Sequence, residues 1–76
     1  MKTLTCSDLG GPCAAELVGT TFEDIGRASR AHVMSMIKAG HADHIAAADR
    51  MRQAPPEEQR AMMARFKDRF EEAPNI

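Results

Sequence analysis

The sequence lacks tryptophan and tyrosine, and phenylalanine occurs only 3 times in 76 residues. Large aromatic side chains therefore cannot fill much of an interior, and methionine and alanine must supply a share of the packing. A chain of this length forms one small domain with a high ratio of surface to interior. Domains of this size often need an additional constraint, such as a disulfide, a bound metal or an oligomer interface. We therefore expect one of these here.

An excess of charge of either sign is also missing. The chain has 10 Lys and Arg residues and 11 Asp and Glu residues. A nearly neutral chain has no long-range attraction for nucleic acid or for an anionic membrane, so neither partner is expected. The basic residues near the C-terminus alternate with acidic ones, which is typical of a solvated helix face and argues against DNA binding.

Long apolar runs and catalytic motifs are absent as well. No stretch approaches the roughly 20 apolar residues of a membrane span, and the opening MKTLTCSDLGG has no apolar segment of the signal-peptide kind. These features predict a cytoplasmic protein. No nucleophile lies in a recognisable local motif, and no glycine-rich loop is of the phosphate-binding type, so no enzymatic activity is predicted.

Only two cysteines are present, Cys6 and Cys13, on either side of Gly10-Gly11-Pro12. In a reducing compartment a close cysteine pair more often binds metal or acts in catalysis than forms a structural disulfide. The C-x6-C spacing differs from the Cys-x-x-Cys of thiol oxidoreductases, and it is longer than the usual spacing in zinc fingers. A metal site, a pair of buried free thiols, and disulfide or redox chemistry therefore all remain open at this point.

The residues around the cysteines predict a β-hairpin. Residues 1–4 and 13–18 have the composition of two short strands, and the glycines between them permit a turn. Alternation along each strand places Cys6 and Cys13 on the same faces as the leucines of those strands. Both thiols are therefore predicted on the apolar face, one at each end of the loop.

A long helix is predicted next. Thr20 and Glu23 match a capping box, so the helix should begin there, and Gly40 is suited to end it in a left-handed conformation. His32 lies within the apolar stripe of this helix and should face the hairpin. The stripe consists of Phe22, Ile25, Ala28, His32 and Met36.

Two further helices are predicted in the remaining sequence. Residues 45–53 are helical by composition, and Ala54-Pro55-Pro56 interrupts them. Pro56 with the two glutamates after it suits the start of the last helix. One side of this helix carries Met62, Met63, Phe66 and Phe70.

These elements predict an α+β fold. An N-terminal two-stranded antiparallel β-hairpin packs on a helix, and a C-terminal helical hairpin follows. Residues 1–76 are expected to form a single domain. Within it, residues 1–41 form the metal-binding half with hairpin and helix, and residues 42–73 form a helical extension.

Five side chains carry the donors that zinc prefers: Cys6, Cys13, His32, His41 and His44. Zinc is usually bound by four nitrogen or sulfur atoms in a tetrahedron, and the hairpin and the helix would supply two thiolates and His32. His41 follows His32 by nine residues, which is about 13.5 Å and half a turn out of phase in an unbroken helix. We expect His41 as the fourth ligand if the helix ends early, with His44 as the alternative; Asp8 or water are further options.

Other interpretations of the same residues are compatible with the sequence. His32 could be a buried histidine bonded to the backbone, while His41 and His44 could be exposed loop residues. The Met and Phe side of the last helix is explained by core packing, or by a metal-free interaction surface that forms a homodimer or receives a protein partner.

The N-terminal half resembles a known family. Its features are a capped helix start, a helical histidine and the segment Met1-Lys2-Thr3-Leu4-x-Cys6-x-Asp8-Leu9-Gly10 with Cys13. They are similar to a family of small bacterial and archaeal proteins of unknown function, described as predicted small metal-binding proteins, over about residues 1–41. The resemblance implies a metal-binding role for Cys6, Cys13 and His32, which match the family's pattern. The family has a second helical histidine where this chain has Ile37, and His41 comes a few residues later.

Overall fold

The computed structural model of the protein describes residues 1–75 and shows an α+β fold. A two-stranded sheet packs on the first of three helices, and the other two helices follow, so the predicted fold class is confirmed. The elements are β1 (Lys2–Thr5), a short 3-10 helix (Ser7–Leu9), β2 (Glu16–Gly19), α1 (Phe22–Lys38), α2 (Ala42–Gln53) and α3 (Pro56–Glu72).

The two strands pair antiparallel, with Leu4 opposite Leu17. Both leucines are buried, because alternation along each strand directs them toward the helices. Together with three other side chains they form a small apolar core. The core consists of Leu4, Leu9, Leu17, Ile25 and Phe70.

The second strand begins at Glu16, three residues later than predicted, so Cys13 lies in the loop and not in a strand. The reason is that the chain before it folds back on the end of β1. The amide of Cys6 donates to the carbonyl of Ala15 over 2.9 Å, in register with the strand pairs. The carbonyl of Cys6 instead accepts from the amide of Gly11 over 2.9 Å, within the loop, and regular pairing ends there.

A capping box does begin α1, but one residue later than predicted. The Thr21 hydroxyl accepts from the amide of Asp24 over 3.1 Å, and the Asp24 carboxylate accepts from the amide of Thr21. The motif fits the sequence in two registers, because Thr20-Thr21 is followed by Glu23-Asp24. Three residues after the start of the helix, Ile25 is fully buried in the core.

Gly40 ends α1 as predicted, in a left-handed conformation with φ of +78°. The amide of Gly40 donates to the carbonyl of Ile37, and the amide of His41 donates to the carbonyl of Met36. This pair of bonds is a Schellman motif, and it reverses the chain within a few residues. Helix α2 therefore begins at Ala42, earlier than the predicted residue 45, and folds back along α1.

Helix α3 begins at Pro56 as predicted and is anchored to the sheet by its C-terminal half. The ring of Phe70 meets that of Phe22 edge-on at 5.9 Å, and the Lys2 ammonium donates to the carbonyl of Phe70 over 2.9 Å. Phe66 packs against the same core, whereas Met63 remains 58% exposed. None of the helices described within residues 1–75 has the length and apolar character needed to cross a bilayer.

Candidate metal centre

Two thiols and two imidazoles converge at the loop end of the sheet. One sulfur or nitrogen atom from each of Cys6, Cys13, His32 and His44 lies within 4.8 Å of the others. The Cys13 Sγ to His32 Nε2 distance is 3.2 Å, and the Cys6 Sγ to His44 Nε2 distance is 3.8 Å. Tetrahedral zinc, with Zn–S of about 2.3 Å and Zn–N of about 2.0 Å, separates sulfur from nitrogen by about 3.5 Å. The observed distances lie on either side of this value, so the four side chains could surround one ion.

Cys6 follows β1 directly and is held by the loop that covers it. Its carbonyl accepts from the amides of Leu9 and Gly11, over 3.1 and 2.9 Å. These bonds bring the backbone of Gly11 so close that a Cβ added there would lie 2.2 Å from the Cys6 sulfur. Glycine is thus required at position 11 for the sulfur to keep its place, and the side chain of Cys6 is buried.

Cys13 and His32 form the second half of the cluster. Cys13 lies in the loop before β2, and His32 lies two helical turns after Ile25 on the side of α1 that faces the sheet. Both side chains are half-buried. The predicted stripe therefore places His32 correctly, and the loop, not strand alternation, brings Cys13 to it.

His44 supplies the fourth donor, from the first turn of α2. Its side chain is only 1% exposed, and its ring lies edge-on to that of His32 at 5.1 Å. The predicted requirement that α1 end early is met, because α1 stops at Lys38 and the chain reverses at Gly40. The cluster thus extends beyond residues 1–41, since one member comes from the segment predicted as a helical extension.

His41, the first choice for the fourth ligand from the sequence, lies outside this group of four. It is exposed at the N-terminal end of α2, and its Nδ1 is 2.8 Å from the Nδ1 of His44. One of these two nitrogens must carry the proton that they share. If the Nε2 of His44 binds a metal, its Nδ1 carries the proton and donates to His41.

The cluster alters the proton affinity of its own members. Burial lowers the pKa of the His44 imidazole, and the neighbouring His41 and His32 lower it further. Burial also raises the pKa of the Cys6 thiol, against a backbone hydrogen bond from Cys13 that lowers it. Without metal, the site therefore favours a neutral imidazole and a protonated thiol, so an incoming cation has to displace the thiol proton.

Asp8, considered from the sequence as a further ligand, is engaged elsewhere. Its carboxylate accepts from the amide of Thr5 over 2.9 Å and forms an ion pair with Arg69. The Thr5 amide and the Arg69 guanidinium hold the pKa of this carboxyl below its usual value. Asp8 thereby connects the short 3-10 helix to α3 and does not join the cluster.

The sequence predicts one role for Gly10 and Gly11, but the structure gives the two glycines different roles. Gly10-Gly11 was predicted to provide turn freedom, and Gly10 does so with φ of +83°. Gly11 serves a different purpose, because its missing side chain leaves the space that the Cys6 sulfur occupies. No local pattern indicated the contact between His41 and His44, although their spacing of three residues at a helix start is compatible with it.

Comparisons with models of protein families, with curated proteins and with solved structures found no match. The family resemblance of the N-terminal half therefore stays a prediction, and the interpretation of the site depends on its geometry.

Proposed function

We propose that this protein binds one zinc ion through Cys6, Cys13, His32 and His44. The observation that carries the proposal is the convergence of these four side chains from four separate segments onto a space the size of one ion. The donors come from the end of β1, the loop, the middle of α1 and the start of α2. Two thiols and two imidazoles are a donor set typical of structural zinc sites.

The donor chemistry favours zinc over other common ions. Thiolate and imidazole suit Zn²⁺, whereas Mg²⁺ and Ca²⁺ require oxygen ligands, and no carboxylate belongs to the group of four. Four protein donors also complete a tetrahedral shell and leave no position for a substrate. This supports a structural or metal-holding role and not catalysis.

Such an ion would connect parts of the fold that share little core. The buried apolar cluster contains five side chains, and none of them comes from α2. A metal held by His44 would tie α2 to α1 and to the loop, in addition to the contacts that this helix makes with α1. Metal binding would then contribute to folding itself, as it does in other small zinc domains.

The proposal is tested by native mass spectrometry and elemental analysis of the purified protein, before and after chelation. We expect one zinc per chain and a lower melting temperature after chelation. The variants Cys6→Ser and His44→Asn should lose the ion, whereas Met34→Ala, an exposed change on α1, should keep it. An unchanged mass with unchanged thermal stability would refute the proposal.

The alternative of a metal-free homodimer receives less support. Phe70 is part of the core and Phe66 packs against it, so half of the proposed contact face is used within the chain. The methionines before them remain available, and Met63 is exposed. Sedimentation at several protein concentrations separates the two ideas, because a monomer at all concentrations leaves the dimer without support.

A further inference from the structure

The three helices enclose an open groove of about 820 Å³, whose lining includes Cys6 and His44 but not Cys13 or His32. Its lining is mainly apolar and comes from α1, α2, α3 and the loop. The larger apolar side chains of the lining include Phe22, Ile25, Met51, Met62, Met63 and Phe66. A cleft of this size falls within the range of about 300–1,000 Å³ that is usual for small-molecule sites.

The groove exists because α3 leans on the sheet with only its C-terminal half. Phe66 and Phe70 pack against the core, while the methionines of the preceding turns face the groove. Its walls also carry small residues. A Cβ added at Gly26 on α1 would meet no atom within 4 Å, and α2 contributes Ala47 and Ala48 to the lining.

The charges in the lining have one sign. Of the described side chains that line the groove, the two charged at neutral pH are Arg30 and Arg52, from α1 and α2. Arg52 forms an ion pair with Asp49, which itself does not line the groove. Polar groups are few besides, and include Ser29 and Gln59. An apolar cleft with only positive charge is complementary to an apolar molecule with one negative group.

We propose that the groove binds a small amphiphilic carboxylate, with its apolar body against the methionines and phenylalanines and its carboxylate at Arg30 or Arg52. Flexible methionine side chains can adapt to a slender acyl chain. The groove shares Cys6 and His44 with the proposed zinc site, so zinc content is measured together with ligand binding.

The test uses decanoate as the probe, and decyltrimethylammonium as a control with the same apolar chain and the opposite charge. Methyl NMR spectra of the methionines report the position of binding. We expect saturable shifts at Met51, Met62 and Met63, and none at Met34, which is exposed on α1 outside the groove. Decanoate should bind at least tenfold more tightly than the cationic control.

Substitutions in the groove test whether decanoate binds there. Replacing both arginines, Arg30→Gln with Arg52→Gln, should remove the preference for decanoate, whereas Arg50→Gln on the exposed side of α2 should not. Gly26→Phe should block the groove without harming α1, because glycine is a poor helix former and a Cβ at this position meets no atom within 4 Å. Its folding is checked by circular dichroism.

The experiment is performed on zinc-supplied and on chelated protein, and zinc content is measured in the same samples. The zinc content tests the metal proposal, and the binding of decanoate tests the groove. Selective decanoate binding in either form supports the site. Equal binding of the cationic control, shifts that include Met34, or no saturation in either form would overturn it. Binding of an acidic amphipathic peptide without any of decanoate would also overturn it, in favour of a protein partner.

Discussion

At the scale of the residue, the site depends as much on a missing side chain as on the ligands. The sulfur of Cys6 occupies space that any residue larger than glycine at position 11 would claim. The residue at position 11 therefore determines whether the Cys6 sulfur can occupy its place in the site. Its effect on metal binding can be measured without changing any of the four donors.

We expect Gly11→Ala to lower zinc affinity at least tenfold and to lower the melting temperature, because the new Cβ would lie 2.2 Å from the Cys6 sulfur. Competition with a chromophoric chelator measures the affinity. The matched control is Gly26→Ala, where the new Cβ meets nothing within 4 Å. This change in a helix interior should stabilise the protein by up to about 1 kcal/mol. Equal zinc affinity of Gly11→Ala and the unaltered protein would contradict the account.

His41 is expected to orient His44 without binding the ion. Removing the acceptor, as in His41→Ala, should lower zinc affinity by about 10-fold to 100-fold, the usual effect of losing a partner of a ligating histidine. His41→Gln can still accept a hydrogen bond and should restore part of the affinity. Nitrogen NMR of the zinc form should show the proton on Nδ1 of His44; a proton on Nε2 would contradict this role.

The choice between these two histidines shows where prediction from sequence stops at this scale. Cys6, Cys13 and His32 were expected to converge, and the structure brings them together. His41 and His44 are three residues apart, so a shift in where one helix ends and the next begins decides which of them points inward. The Schellman bonds at Gly40 fix that point, and their geometry is not encoded in spacing alone.

At the scale of the element, the ends of α1 position the site. The helix carries His32 at its middle, and the turn at its C-terminus returns α2 so that His44 meets the cysteines. Proline and glycine predicted the C-terminal end of α1 and the start of α3 well, because their effects on the backbone are local. The start of β2 and the register of the capping box were predicted wrongly, since the Cys6 carbonyl is bonded within the loop and the second of two adjacent threonines caps the helix.

Gly40→Ala tests the turn between α1 and α2. A Cβ at this position meets no atom within 4 Å, so its cost arises from the left-handed backbone alone and should be about 1–2 kcal/mol in the free energy of unfolding. Zinc affinity should fall as well, because a strained turn displaces His44. Gly40→Asn should cost less than Gly40→Ala, since asparagine tolerates this conformation better. Urea unfolding gives the comparison, and an Ala variant as stable as the parent would contradict the account.

At the scale of the whole molecule, a small core makes stability dependent on the cluster. The apolar cluster contains five buried side chains, whereas His44 and Cys6 are buried beside it and can titrate. Metal-free protein should therefore show a stability that varies with pH at both ends of the neutral range. At each end of this range, the change in stability with pH depends on whether the folded or the unfolded chain binds more protons.

The folded state disfavours protonated His44, whose pKa lies below its ordinary value of 6.5, so the unfolded chain binds the extra proton. Stability of the metal-free protein should thus fall as the pH drops below about 6.5. The folded state also disfavours the Cys6 thiolate, whose pKa lies above its ordinary value of 9.0, so stability should fall as the pH rises above about 9.0.

Chemical denaturation across this range checks both limbs. His44→Asn should flatten the acidic limb and leave the alkaline one, while Cys6→Ser should do the reverse. Asp24 also has a lowered pKa, due mainly to the amide of Thr21, but it affects stability only below its ordinary value of 3.8. A stability that is constant between pH 5 and 10 would contradict the buried state of the two side chains.

The most direct test of the central claim is X-ray absorption at the zinc edge of the purified, zinc-saturated protein. We predict a first shell of two sulfur atoms at about 2.3 Å and two imidazole nitrogen atoms at about 2.0 Å. The His44→Asn variant should lose one imidazole from this shell. A shell of oxygen atoms or of nitrogen and oxygen alone, or no zinc retained after desalting, would contradict a metal centre built from Cys6, Cys13, His32 and His44.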